Sequence, residues 1–209
     1  MIEHVVLYKF KPEAEPSQIT ALMNGLNDLI SINQVVHLSA GPLQSTRSSS
    51  FAFTHMLHCR YNSKDDLRAY AVHPAHVGLV RRTTIVDDIM AIDWIAEDVS
   101  ALAPGSVSRV VFLKLKDGVA QKNYVLDVIR EVGSKLSSIR EFSFGENFSP
   151  DRAKGFSVAM LMVFDAVEVL DSNVEIMNLL KEKLGDLLED DLVVDCIIGI
   201  TPKPGSGSG

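Results

Sequence analysis

Residues 3–11 read "EHVVLYKFK", and residues 108–116 read "SRVVFLKLK". Both run from a polar pair through two valines and two further apolar residues to an apolar position flanked by lysines. Aligned, they set His4 against Arg109. Two more pairs carry the match along the chain: "FTHMLHCRY" (53–61) answers to "SVAMLMVFD" (157–165), and "DIMAIDWI" (88–95) to "LVVDCIIG" (192–199). A period of about 104 residues is too long for a solenoid and is the length of one small domain, here duplicated in tandem. The connector is "EDVSALAPGS" (97–106), in which Pro104-Gly105 marks a turn. The duplication divides the chain into a first domain at 1–98, a second at 106–201 and a flexible tail at 202–209, whose "PKPGSGSG" has linker composition.

Each half has the same order of elements. A β-branched strand opens it, at 4–10 and at 109–115. Apolar residues then recur at helical spacing: Ile19, Leu22, Met23, Leu26 and Leu29 in the first half, and Tyr124, Val125, Val128, Ile129 and Val132 in the second. Two strands follow in the first half, around 35–41 and 51–60, joined by the polar loop "QSTRSSS" (44–50). A helix begins in "SKDDLRAYAV", with Ser63 placed as N-cap and Asp66 three residues on. Pro74 suits the first turn of a further helix, and "IMAIDWI" closes the unit as a strand. The order β-α-β-β-α-β is the ferredoxin-like arrangement, in which helices cover one face of the sheet. Strand 196–200 is apolar throughout, and such strands call for cover on both faces. The expected fold is α+β: two ferredoxin-like units burying their sheets against each other as a barrel, a pseudo-dimer within one chain.

Composition narrows the function. The chain has 46% hydrophobic and 22% charged residues, as in a soluble globular protein, and a net charge of −7. That charge argues against a nucleic-acid binder working by phosphate neutralisation. No apolar run is long enough to span a bilayer, and no signal or transit peptide is visible, so the expected compartment is cytoplasmic, with organellar targeting left open. Cys59 and Cys196 read as buried reduced thiols rather than a disulfide framework or a zinc site.

All 6 histidines (His4, His37, His55, His58, His73 and His76) fall in the first half. Polar chemistry was therefore kept, or gained, on one side of the duplication. His4 and His55 open strands that neighbour one another in such a sheet, and each interrupts an apolar run. In "AYAVHPAHVGLV" (69–80), Tyr70 ends a helix and His76 follows the turn at His73-Pro74. Histidine titrates near neutrality, so His76 paired with Tyr70 could move protons. The bland alternatives are a hydrogen-bonded core histidine at His4 or His55, an N-cap at His73, and structural or exposed roles for His37 and His58. His73 and His76 are also spaced to share a metal ion, but His73-Pro74 breaks the helical face and no acid lies close by in sequence. No metal and no cofactor are expected.

The strands "EHVVLYKFK" and "FTHMLHCRY", and above all "YAVHPAHVGLV", resemble the stress-response A/B barrel (Dabb) family of dimeric α+β barrels over roughly 3–95 and 108–200. The tandem form is similar to plant stress-responsive proteins with two such domains. The resemblance implies a ferredoxin-like unit pairing into a barrel, and links to stress and antifungal defence. One relative, olivetolic acid cyclase, performs an intramolecular aldol condensation without a cofactor. Its acid/base histidine matches His76, its catalytic tyrosine Tyr70, and its pocket histidines His4 and His55. By that likeness Tyr70 and His76 are the candidate catalytic pair, and His4, His55 and His73 the candidate substrate-binding residues. The cyclase's first helix brings aromatics to its pocket, whereas "SQITALMNGLNDLISIN" (17–33) has none, which puts a polyketide substrate in question. The leading expectation is a stress or defence protein that binds a small hydrophobic ligand. A cyclase or lyase using Tyr70 and His76, and a structural interaction module, are the alternatives.

Overall fold

The structure is a computed structural model and describes residues 1–48, 50–81, 83–97, 99–116, 121–135, 139–166 and 174–199. The tail expected at 202–209 lies outside the described residues. The first repeat runs β1 (Ile2–Phe10), α1 (Pro16–Asp28), β2 (Val35–Arg47), β3 (His55–Tyr61), α2 (Lys64–Val72), α3 (Pro74–Arg81) and β4 (Val86–Ile95). The second runs β5 (Val107–Leu115), α4 (Lys122–Ser134), β6 (Glu141–Glu146), β7 (Val158–Phe164), α5 (Val174–Leu184) and β8 (Leu188–Ile197). Among the described residues no helix is long and apolar enough to cross a membrane.

All 8 strands form one sheet in the order β4-β1-β3-β2-β8-β5-β7-β6. The sheet curls because both faces of its strands are apolar. Alternate residues point inward, where Val5, Leu7, Met56 and Trp94 of the first repeat meet Phe112, Leu161, Val194 and Phe156 of the second. The other set faces helices: Val6, Leu57 and Tyr61 pack with Leu22, Leu26 and Tyr70, while Val111 and Met160 pack with Val128, Ile129 and Leu180. Two covered faces explain why β1 and β7 are buried along almost their whole length.

The barrel closes differently at its two seams. At one, β2 pairs with β8 over Leu43–Arg47. This partner is why "QSTRSSS" is strand as far as Arg47, rather than the loop its polarity suggests: β8 supplies the backbone hydrogen bonds. Strand β3, in turn, starts at His55 rather than 51. At the other seam β4 and β6 share no ladder among the described residues. There the Phe148 amide donates to the Asp93 carbonyl (3.0 Å), and the Asp93 amide donates to Asn147 Oδ1 (3.2 Å). Gly145 lets β6 approach, since a Cβ there would lie 3.0 Å from the Ile95 carbonyl oxygen.

The ladders correct two of the repeat alignments. Tyr61 lies opposite Ile2, and Phe164 opposite Val107, so Tyr61 matches Phe164 and not Asp165. Likewise Asp93 lies opposite His4 and Asp195 opposite Arg109, so "DIMAIDWI" matches "DDLVVDCI" (190–197), two residues earlier than read. A two-residue slip keeps the inward–outward alternation, which makes it invisible to hydrophobic pattern. The one-residue slip of "FTHMLHCRY" followed the shared Met-Leu pair, although it would turn every side chain to the opposite face.

A buried polar network ties the repeats together inside the barrel. Glu3 accepts from His58 Nε2 at 2.5 Å and from Arg60 Nη2 at 2.7 Å. Arg60 also pairs with Glu141 of the second repeat, and its Nη1 donates to the Ser100 carbonyl of the connector at 2.6 Å. Burial opposes the charge on Glu3, but His58 and Arg60 hold its carboxyl down at about 2. A folded-state value below the ordinary 4.5 means that Glu3 stabilises the fold fully above that pH. The contribution is lost as pH falls from there towards the folded value. Glu3→Gln should remove this acid sensitivity and, by leaving Arg60 half-paired, cost about 3–5 kcal/mol at neutral pH. Urea unfolding across that pH range checks both effects.

Candidate functional site

The turn between α2 and α3 places the expected catalytic pair. Ser63 Oγ accepts from the Asp66 amide at 3.1 Å and starts α2, as its sequence position predicts. The helix stops before Pro74: His73, held extended by the following proline (ψ 134°), cannot continue it. His73 then starts α3. Its carbonyl accepts from Val77 at 2.9 Å, and its Nδ1 accepts from the Ala75 amide at 3.3 Å. One turn on, the His76 ring lies 4.5 Å from the Tyr70 ring, centroid to centroid.

Burial sets the protonation of both groups, and one local bond fixes the tautomer of His76. His76 Nδ1 lies 3.0 Å from the Ala71 carbonyl oxygen. A carbonyl only accepts, so Nδ1 carries the proton and Nε2 has the free lone pair. Burial lowers the His76 pKa below the usual 6.5, against the pull of the Ala71 carbonyl and with help from His4, Arg152 and His73. At neutral pH His76 is therefore an uncharged base. Burial pushes the Tyr70 phenol far above its usual range, so it stays protonated. Its hydroxyl is buried, with Tyr61 and Cys59 as neighbours.

Both residues line a cavity of about 740 Å³ between the helix-covered face of the first repeat's sheet and α1–α3. Leu22, Leu26, Leu57 and Leu79 are among its apolar lining. His4 and Asp93 lie in its wall, with His4 Nδ1 bonded to Asp93 Oδ1. Burial opposes ionisation of Asp93, but His4, Ser149 and Arg152 together hold its carboxyl below the ordinary range. Phe148, Ser149 and Arg152 come from the second repeat, so the cavity is shared by both halves.

Of the expected site residues, the structure brings together His4, Tyr70 and His76. It does not bring His55 to them. Strands β1 and β3 are antiparallel, so the start of β3 lies beside the end of β1: His55 pairs with Tyr8, and His4 with Cys59. The His55 ring packs edge-on against Phe10 and bonds Thr54 Oγ1 at 2.9 Å. His73 is likewise outside the cavity lining, in its capping place. Among the described residues no group of three or more His, Cys, Asp or Glu is placed to hold a metal ion. Sequence reading missed Asp93 and Arg152. Asp93 gave a signal, an acid inside the apolar "IMAIDWI". Arg152 gave none, because it reaches the site from the other repeat.

The family described as Stress responsive A/B Barrel Domain matches residues 2–96 and 107–198. A stress-response A/B barrel domain-containing protein of Arabidopsis thaliana is 43% identical over 208 residues, covering 95% of this chain and 79% of that one. A second protein of that description from the same plant is 39% identical over 203 residues, covering 93% and 95%. The crystal structure of an anthrone oxidase-like protein superposes with a TM-score of 0.61 at 9% identity, over 98% of this chain and 96% of that one. At that identity the likeness is one of fold.

The second repeat carries a different solution at the matched position. Arg109 Nε donates to Asp195 Oδ1 at 2.7 Å and Nη2 to Oδ2 at 3.1 Å, and the pair is buried. A guanidinium stays charged at any physiological pH, so this pair holds the fold and transfers no proton. The contrast yields a test in the first repeat. His4→Ala leaves Asp93 buried without its partner and should cost about 1–3 kcal/mol. His4→Arg can form the pair seen at Asp195 and should recover most of that loss, as measured by urea unfolding of the two variants.

Proposed function

Because the chain belongs to the stress responsive A/B barrel domain family, we propose that it acts in stress or defence by taking a small, largely apolar ligand into the pocket of its first repeat. What supports this most is the cavity itself: about 740 Å³, lined by apolar side chains together with the His4–Asp93 pair, Tyr70 and His76. Pockets of this size and mixed character accept drug-sized molecules. Antifungal defence is the role we attach to that binding.

The tautomer of His76 favours a second reading, a cofactor-independent proton transfer of the kind used by polyketide cyclases. Nε2 would take a proton from a carbon next to a ligand carbonyl. The C–H electron pair would pass into the carbonyl, and the Tyr70 hydroxyl would donate a hydrogen bond to the resulting enolate oxygen. Returning the proton to carbon would complete the cycle, as would adding the enolate carbon to a second carbonyl of the same molecule and passing the proton from His76 to the alkoxide so formed. His4, held by Asp93, orients the ligand in either reading.

Two measurements separate the readings. The neutral dye N-phenyl-1-naphthylamine should bind the wild-type protein, and Leu57→Trp, which fills the cavity, should abolish its fluorescence enhancement. Failure of the dye to bind removes the pocket as a ligand site. Solvent deuterium should enter the α-carbon of a bound long-chain ketone, more slowly by about 100-fold or more in His76→Ala. The acid limb of that exchange should lie below pH 6.5, because the His76 pKa is lowered. Dye binding without exchange leaves binding as the function.

A further inference from the structure

The carboxylates, lysine and arginines that line the cavity do not pair with one another. Asp87, Asp88, Asp93, Lys64, Arg68 and Arg152 all line it. Each acid is already engaged: Asp87 by Lys9 at 2.7 Å, Asp88 by Lys154 at 2.6 Å, and Asp93 by His4. Arg68 is taken by Asp65 at 2.6 Å. Lys64 and Arg152 make no direct ion pair with a carboxylate among the described residues, and Arg152 acts on Asp93 only at longer range.

Both cations are tied to one short segment of the second repeat, residues 148–152. Lys64 Nζ sits 3.9 Å from the centroid of the Phe148 ring, and Arg152 follows Phe148 and Ser149 in the same short segment. Arg152 acts electrostatically on Tyr8, His76 and Asp93 across the cavity. We infer that the ligand is an amphipathic carboxylic acid, with its apolar body against Leu22, Leu26, Leu57 and Leu79 and its carboxylate between Lys64 and Arg152. The inference rests on the ligand-binding reading above and names its chemical class. A guanidinium presents paired donors that fit a carboxylate, and a lysine adds a mobile point charge. Since Arg152 belongs to the second repeat, the first repeat's site is incomplete without its neighbour. Arg152 is thus a specificity-determining residue, and the second copy supplies the charge selection.

The test displaces N-phenyl-1-naphthylamine from the full-length protein with three probes of equal chain length: decanoate, decanol and decylamine. Decanoate should bind about tenfold more tightly than decanol, the margin of one charge-assisted contact, and decylamine more weakly than either. Arg152→Gln should narrow the decanoate-to-decanol ratio by about threefold or more, and R152K, which keeps the charge but not the paired donors, should restore it in part. R152E should turn the order towards decylamine. Raising the salt concentration should shrink the preference in the wild type, because Arg152 is exposed. Equal affinity for decanoate and decanol overturns the inference while leaving the pocket intact, as does a ratio unmoved in both R152Q and R152E. A dye that does not bind at all sinks the pocket reading and this inference with it.

Discussion

The inner faces of the two four-stranded halves are apolar, and each covers the other. Val5, Leu7 and Trp94 from one repeat meet Phe112, Leu161 and Val194 from the other, and Trp94 and Phe112 are wholly buried by this contact. Everything else depends on that mutual burial. It bends the sheet into a barrel, sends the helices to the outside, and leaves the space between helices and sheet as the place where a cavity can form. It also explains the tolerance of Glu3, His58, Arg60 and Glu141 in the interior. They satisfy one another across the repeat boundary, so the charges are buried with partners rather than alone.

Duplication then freed the two copies to diverge. At one matched position His4 bonds Asp93 beside an open cavity, and at the other Arg109 grips Asp195. The second copy instead lends the first its Asn147–Arg152 segment, which closes the seam beside β4 and walls the pocket. The first copy returns the contact: Ser45 of β2 donates to Asp195 at 2.5 Å. Each buried acid is therefore attended by a residue of its own repeat and by the neighbour's second-strand region. A single chain can make those two environments unlike, which a symmetric pair of identical subunits cannot.

Much of this was legible in the residues. The matched strands "EHVVLYKFK" and "SRVVFLKLK" carry the duplication, and Ser63 and Pro74 mark where α2 and α3 begin. Periodicity, however, constrains register only modulo two, so β8 was matched two residues late and Asp93 lost its counterpart Asp195. His55 departs from its expected place for a related reason: β1 and β3 are neighbours, but their antiparallel direction puts their starts at opposite ends. The extension of β2 through "QSTR" has no local signal, because polar residues become strand only when a distant partner arrives. Arg152 is the extreme case, a site residue whose relevance exists only in the assembled barrel.

The pairing of β2 with β8 also governs when the molecule can fold. It joins Leu43 of the first repeat to Cys196 near the end of the second, about 150 residues further along the chain. A nascent chain leaving the ribosome can form the ladders of the first repeat early, but it then holds an apolar sheet face and an unpaired length of β2 until β8 has been made. Pairings so far apart in sequence fold slowly, because the entropy of closing the loop is lost before the contact is gained. During that interval the half-built barrel is an exposed sheet edge beside a hydrophobic surface, the kind of species that other chains capture and that chaperones shield.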